Sequence, residues 1–426
     1  MERSRSSRDN QVFLAALPTE ETFETSRLIF VRSQCEFRHS RTYELSPRSI
    51  SWEGQQVTRT YCRLTLALLC FAPSADAAVA DTLGSDEKAV CPQEGEVEMA
   101  WAIERILNYP EDKPWGKGYA HYGFHDSQGN RYFFDYFHHW VGRLGDDDEF
   151  VWTAGVKPDV TTDFHMDADF VRPMFLTEAP DGSLLISCDG NARIFKLDLD
   201  ARSVRSFVDA GTLGLKDISS TVYDDDGHLW VSEVTGCRVW CLDRGGRVIE
   251  TLGNGQPGFQ AETVPFEQAR FGWIYVMKKG PDGCLYVLDS TNFAVRRIDL
   301  QRRTVETVVG TGKPGYAGDG GDARQATLGS DPKEQFNGPY GLCMDEQGNL
   351  FIADTCNHVV RMVNASTNVI STIAGRHTVI AHQRNDPRET NPLNLNLPKL
   401  SALDYHDGRL FIPEWDGDLI VLKRTR

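Results

Sequence analysis

One unit recurs along most of this chain, and it decides the fold class. It is an Asp-Gly or Gly-Asn turn, an alternating apolar run, an acidic residue, a short turn, then a second alternating run. The clearest copy is GNLFIADTCNHVVRMV at 348–363. Others are GNRYFFDYFHHWVGRL (129–144), DGSLLISCDGNARIFKL (181–197), DGHLWVSEVTGCRVWCL (226–242), DGCLYVLDSTNFAVRRI (282–298) and DGRLFIPEWDGDLIVLK (407–423). The residues aligned on Asp354 are Asp135, Cys188, Glu233, Asp289 and Glu414, at intervals of 53, 45, 56, 65 and 60 residues in chain order. Each unit reads as four short strands. In the fifth they are GLCMDE, NLFIAD, HVVRMV and VISTIAG, between 341 and 375. Period-2 alternation sends successive side chains to opposite faces. A lone four-stranded sheet cannot bury both faces, but six such sheets around an axis can. An all-β, six-bladed β-propeller is therefore expected.

The last unit ends at Arg426 after its third strand. Its exposed edge needs a partner, and 96–107, EVEMAWAIERIL, alternate Val97, Met99, Trp101 and Ile103. They are assigned as the closing N-terminal strand; a short helix is the competing reading of this Ala- and Glu-containing segment. The domain organisation then reads as an extension (1–56) without periodicity, a signal-like segment (57–78), a lead-in (79–117) and the propeller (118–426).

In 57–78, VTRTYCRLTLALLCFAPSADAA, Arg59 and Arg63 flank the apolar run Leu64–Ala72, and Ala75-Asp76-Ala77 follows. This is the layout of a secretory signal peptide lying well inside the chain, as a start assigned too far upstream would produce. A periplasmic or secreted protein is expected. No apolar run reaches the ~18 residues of a membrane helix. The formal charge is −16 and the pI about 5.2, which argues against phosphate backbones and anionic lipid as partners. A monomer that takes a small molecule, sugar or peptide is expected. Ten Cys occur without a C-x-x-C pair, and no disulfide framework is indicated.

The stretch 348–361 resembles the NHL repeat almost letter for letter, as do the connectors GNGQPGF (253–259) and GTGKPGYAGDGGDARQATL (310–328). The resemblance extends over about 118–426 and implies a propeller, while leaving function open. Among NHL-like propellers, the peptide-amidating lyases hold zinc through a Pro-His pair in three blades. Here His121 is the one His among the six equivalent positions. Three convergent imidazoles are what such a zinc needs, so a lyase of that type is disfavoured.

Propeller topology sorts residues by face. Strand one of every blade starts at one face, the entry face, where the strand two–three turns and inter-blade connectors also lie. His121, His138, His139, His165, His358, His377 and His382 are expected there, and His125, His228 and His406 opposite. A concave mouth is the usual ligand site. The expected catalytic set is His121, His165, Tyr340 and Arg172, with imidazoles for proton transfer. The expected ligand contacts are His138, Trp273, His377 and Trp415. The acids closing each strand two are foremost turn braces. As a channel-ion site, Glu233 and Glu414 are the better choices, because they break the Asp pattern and reach further. Zinc and calcium are the two ions considered, calcium because it takes carboxylate and carbonyl oxygens. His358 is read as packing between blades. The variant connectors 156–172 and 376–397 are read as loops beside the mouth. Two functions stay open: an exported propeller binding a small ligand, sugar or peptide, and a propeller lyase or lactonase-like hydrolase using His121, His165 and Tyr340.

Overall fold

The computed structural model describes residues 101–107, 120–146, 149–158, 160, 162–330, 338–379, 383–398, 400–415 and 418–425, with the backbone alone for 120–123. The extension, the signal-like segment, residues 96–100 of the closing segment and His382 lie outside them.

Strand β1 (Trp101–Leu107) comes first. Blade one is β2 (Ala120–His125), β3 (Arg131–Asp135), β4 (Trp140–Leu144), β5 (Phe150–Gly155) and β6 (Thr162–Asp167). Blade two is β7 (Pro173–Glu178), β8 (Leu184–Cys188), β9 (Arg193–Asp198) and β10 (Ser203–Asp209). Blade three is β11 (Ile218–Tyr223), β12 (Leu229–Glu233), β13 (Val239–Leu242) and β14 (Val248–Leu252). Blade four has β15 (Val264–Pro265) outside β16 (Ile274–Lys279), β17 (Leu285–Asp289), β18 (Ala294–Asp299) and β19 (Thr304–Val309). Blade five is β20 (Gly341–Met344), β21 (Leu350–Asp354), β22 (Val359–Val363) and β23 (Ile370–Gly375). Blade six is β24 (Asp404–His406), β25 (Arg409–Pro413) and β26 (Leu419–Arg424). It is completed by β1, which pairs antiparallel with β26 from Trp101↔Arg424 to Leu107↔Leu419. The closing segment is thus a strand, and the fold is the expected six-bladed propeller.

Six apolar clusters separate successive blades, one per interface. Alternation is the reason. On β21, Ile352 packs toward blade four while Phe351 and Ala353 pack toward blade six. Each buried side chain of this size contributes about 1.5–3 kcal/mol. At the seam between the first and last blades, His125 Nδ1 lies 2.6 Å from Asp404 Oδ2, and its ring stacks on His406 at 4.9 Å.

The recurring acid, the turn Asn and the Arg four residues later form one buried device. In blade four, Asp289 accepts from Gly272 N (2.7 Å) and Asn292 Nδ2 (3.0 Å), and Arg296 lies 3.3 Å away with both charges fully buried. In blade five, Asp354 accepts from Gly329 N (2.8 Å) and Asn357 Nδ2 (2.9 Å), and Arg361 lies 3.7 Å away. Each Arg also reaches main-chain carbonyls of a connector, Arg270 O for Arg296 and Thr327 O for Arg361. The device therefore ties a tight turn to the chain that leads into the blade.

Candidate functional site

Apolar side chains line the middle of the channel. Phe124, Phe175, Val276, Leu342 and Leu403 come from the innermost path of five blades and leave a cavity of about 10 Å³, room for about one water. Candidate chemistry is sought on the rim of the entry-face cup, where the strand two–three turns and inter-blade connectors lie.

There the structure gathers residues from all six blades. Arg172, just before β7, has φ 54. Its backbone N–H donates to His139 Nδ1 at 3.0 Å, and its Nε lies 2.9 Å from Asp189 Oδ1. The second oxygen of Asp189 accepts from the Tyr136 hydroxyl at 3.0 Å. The Arg172 guanidinium also sits 5.7 Å from the Tyr136 ring centre. Asp217, before β11, adds a second carboxylate whose Oδ2 accepts from Thr235 N at 3.1 Å. Tyr275 completes the link. It is close enough to Tyr136 to influence its hydroxyl, and it hydrogen-bonds Tyr340. The Tyr275 and Tyr340 rings lie 4.6 Å apart, and Trp415 meets Tyr340 edge-on at 6.3 Å.

Among the carboxylates of this rim, electrostatics single out Asp189. Burial pushes its carboxyl up to about 6, against the pull of Arg172 and the Tyr136 hydrogen bond, and the charge of Asp217 pushes the same way as burial. A carboxyl there exchanges a proton near neutral pH, which few surface carboxylates do. Burial also raises the phenols of Tyr136 and Tyr340, so both stay protonated donors.

Three expected residues, Arg172, Tyr340 and Trp415, enter this cluster. His121 opens β2 at the entry face. Trp273 precedes β16 and is half-buried, its backbone N–H donating to Thr291 Oγ1 at 2.8 Å. His165 stands elsewhere. The connector 156–172 contains β6, which pairs parallel with β5 as a fifth, outermost strand. His165 Nδ1 faces Thr153 Oγ1 at 2.8 Å on that outer edge, so it is not a neighbour of His121. His138 is largely exposed and lies 2.8 Å from Asp135. His377 stacks on Tyr316 at 4.7 Å, beyond the outermost strand of blade five.

Of the acids expected to hold an ion, Glu233 serves as a brace. Glu233 accepts from Lys216 N and Trp240 Nε1, each at 2.8 Å. Glu414 is buried and its backbone N–H donates to Asp418 O at 2.9 Å. Among the described residues, neither belongs to a cluster of three metal-ligating side chains. His358 packs as expected. Its ring is buried against the backbone of Leu397 and Pro398, and burial lowers its pKa.

Residues 336–361 match the family described as NHL repeat. The Asp354–Asn357–Arg361 device lies inside that match and recurs as Asp289–Asn292–Arg296. This six-bladed propeller carries an NHL repeat. Human NHL repeat-containing protein 2 is 33% identical over 90 residues, 21% of this chain and 11% of that protein. SUPPRESSOR OF QUENCHING 1, chloroplastic, of Arabidopsis thaliana is 29% identical over 146 residues, 33% of this chain and 13% of that protein. The matches thus span little more than a tenth of these relatives. Among solved structures, an auxiliary nutrient binding protein from Bacteroides ovatus shares 12% identity at a TM-score of 0.53, covering 77% of this chain and 78% of its own. A structural genomics protein of unknown function from Bacteroides thetaiotaomicron shares 14% at 0.54, covering 76% of each chain. At such identities the likeness concerns the fold.

Sequence reasoning missed Asp189, Asp217, Tyr136 and Tyr275. A signal for Asp189 was present: it follows Cys188, the position where the repeat's acid is lacking.

Proposed function

We propose that this NHL-repeat propeller binds a small polyhydroxylated ligand, a sugar, in the entry-face cup. The observation that carries the reading is the Arg172–Asp189–Tyr136 group running into the Tyr275–Tyr340–Trp415 aromatics. Vicinal hydroxyls need an acceptor and a donor side by side, and a carboxylate held by a guanidinium supplies both. A sugar ring presents C–H groups to an aromatic face. The apolar lining beneath favours a polar ligand at the rim. His121 is assigned to the same mouth through its place at the start of β2. The auxiliary nutrient binding protein with the related fold is consistent with such a role. The test is calorimetry against a panel of mono- and oligosaccharides, with short peptides alongside. A sugar should bind, and Asp189→Asn and Tyr340→Ala should each weaken it at least tenfold. Equal affinity in both variants, or binding of peptides alone, overturns the reading.

A second reading is turnover by a lyase or hydrolase, favoured by one observation: a carboxyl raised to about 6 beside two protonated phenols. Recovery of the ligand chemically unchanged after long incubation counts against it. Export through 57–78 belongs to the same proposal. Mass spectrometry of protein from the native host should find a start near Ala78 or Val79, and an N-terminus including 57–78 overturns export by cleavage.

A further inference from the structure

Blade three departs from its siblings at the turn between its first two strands, on the face opposite the cup. Asp224, His228 and Cys241 bring one ligand atom each to within 4.8 Å of one another. Asp224 Oδ1 accepts from Asp226 N (3.0 Å) and His228 N (2.8 Å), as a turn carboxylate should. Its Oδ2 accepts from Trp230 Nε1 at 2.9 Å and lies 3.2 Å from His228 Nδ1. Cys241 is 2% exposed and faces Trp230 across the strand pair. Among the described residues its thiol has no hydrogen-bond partner.

The other blades show what this position ordinarily does. In blades one and five the residue at the place of His228 is Asn130 or Asn349, whose side-chain amide donates to Asp126 (2.7 Å) or Asp345 (2.6 Å). At the place of Cys241, blades one, two and four carry Arg143, Lys196 and Arg297. Lys196 and Arg297 pair with Asp181 and Asp282, which stand at the place of Asp226, two residues beyond that of Asp224. Blade three has a thiol where these blades have a cation, and an imidazole where two others have an amide. Both changes exchange a hydrogen-bonding or charge-pairing group for a metal ligand, at one spot.

We propose that Asp224, His228 and Cys241 bind a divalent cation of the zinc class. One hard carboxylate oxygen, one borderline imidazole and one soft thiolate form a mixed set that suits zinc and does not suit calcium or magnesium. Two ligands about 2.0–2.1 Å from a tetrahedral zinc stand about 3.3 Å apart, close to the 3.2 Å between Asp224 Oδ2 and His228 Nδ1. The Trp230 N–H orients the carboxylate from behind. His228, with 35% of its side chain exposed, is the way in for the ion and leaves the fourth position to water. On binding, Cys241 loses its proton to solvent, so affinity rises with pH.

The test uses the full chain, stripped of metal and titrated with zinc and with cobalt. One equivalent of cobalt should give thiolate-to-cobalt absorption, and Cys241→Ser should abolish it. His228→Asn restores the amide found in blades one and five. It should therefore leave the metal-free melting temperature unchanged while weakening zinc at least tenfold. A chain that gives no such absorption overturns the proposal. So does absorption that persists in Cys241→Ser, or zinc affinity unaltered by His228→Asn. These outcomes are independent of sugar binding at the opposite face.

Discussion

Replacing Asp189 by Asn should stabilise this protein while removing its proposed binding activity. In the unfolded chain the carboxyl titrates near 3.8, and burial raises it to about 6 in the fold. Below about pH 4 it is protonated in both states and costs nothing. Between about pH 4 and pH 6 the unfolded chain releases the proton while the folded chain retains it, so stability falls as pH rises. Above that window the loss is constant, and at 1.36 kcal/mol per pH unit it amounts to about 3 kcal/mol. Asn carries no ionisation cost and still accepts from Tyr136. Arg172 loses its partner, but its half-exposed side chain rehydrates cheaply. A net gain of about 1–2 kcal/mol remains near pH 8, which for a chain of this size is about 2–4 °C.

The assay is a thermal melt of both proteins at pH 4 and pH 8. Asp289 and Asp354, also raised to about 6 by burial, make both proteins less stable at high pH. They are common to the pair, so the difference between the two melts isolates Asp189. That difference should be small at pH 4 and grow in favour of the variant by pH 8. If Asp189→Asn instead lowers the melting temperature equally at both pH values, Asp189 is a turn brace like its neighbours. The cup would then lose its central group. A variant that is more stable and yet fails to bind a sugar is the pattern expected where a group is retained for function.

Arg296→Met should cost about 3–5 kcal/mol in chemical denaturation, because it leaves Asp289 charged and unpaired in a fully buried site; a loss under 1 kcal/mol would show that the brace does not depend on its charge. Removing residues 101–107 should broaden the unfolding transition and promote association through the uncovered edge of β26, whereas a sharp monomeric melt would mean that three strands suffice for blade six. His358→Ala should lower the melting temperature and spare ligand affinity, since its ring packs on Leu397 and Pro398; His121→Ala should do the reverse, and calorimetry with melts on both variants checks the pair.

The parts of this protein legible in its sequence are those imposed by repetition. Six copies of an alternating run with an acid at its end leave one economical packing, and the inter-blade clusters follow from period 2 alone. The acid of the brace was visible as spacing, although the Asn and Arg that complete it, and its task of holding a connector, were not. Two kinds of feature stayed hidden. One is edge addition. Thr162–Asp167, TDFHMD, is short with only two large apolar residues, and parallel pairing to β5 leaves no hairpin turn as a marker. That is why His165 was placed at the mouth. The other is the cup. Aligning the repeats puts Cys188 where an acid belongs, so blade two looks as though it has lost its brace. Asp189 comes one residue later, beyond the last ladder pair of the strand, Cys188↔Arg193. It therefore points at Arg172 and Tyr136 across the rim rather than into its own turn. A displacement by one residue converts a structural acid into a site acid. An alignment scores it as a defect, because only the three-dimensional path of the turn shows what the carboxylate meets.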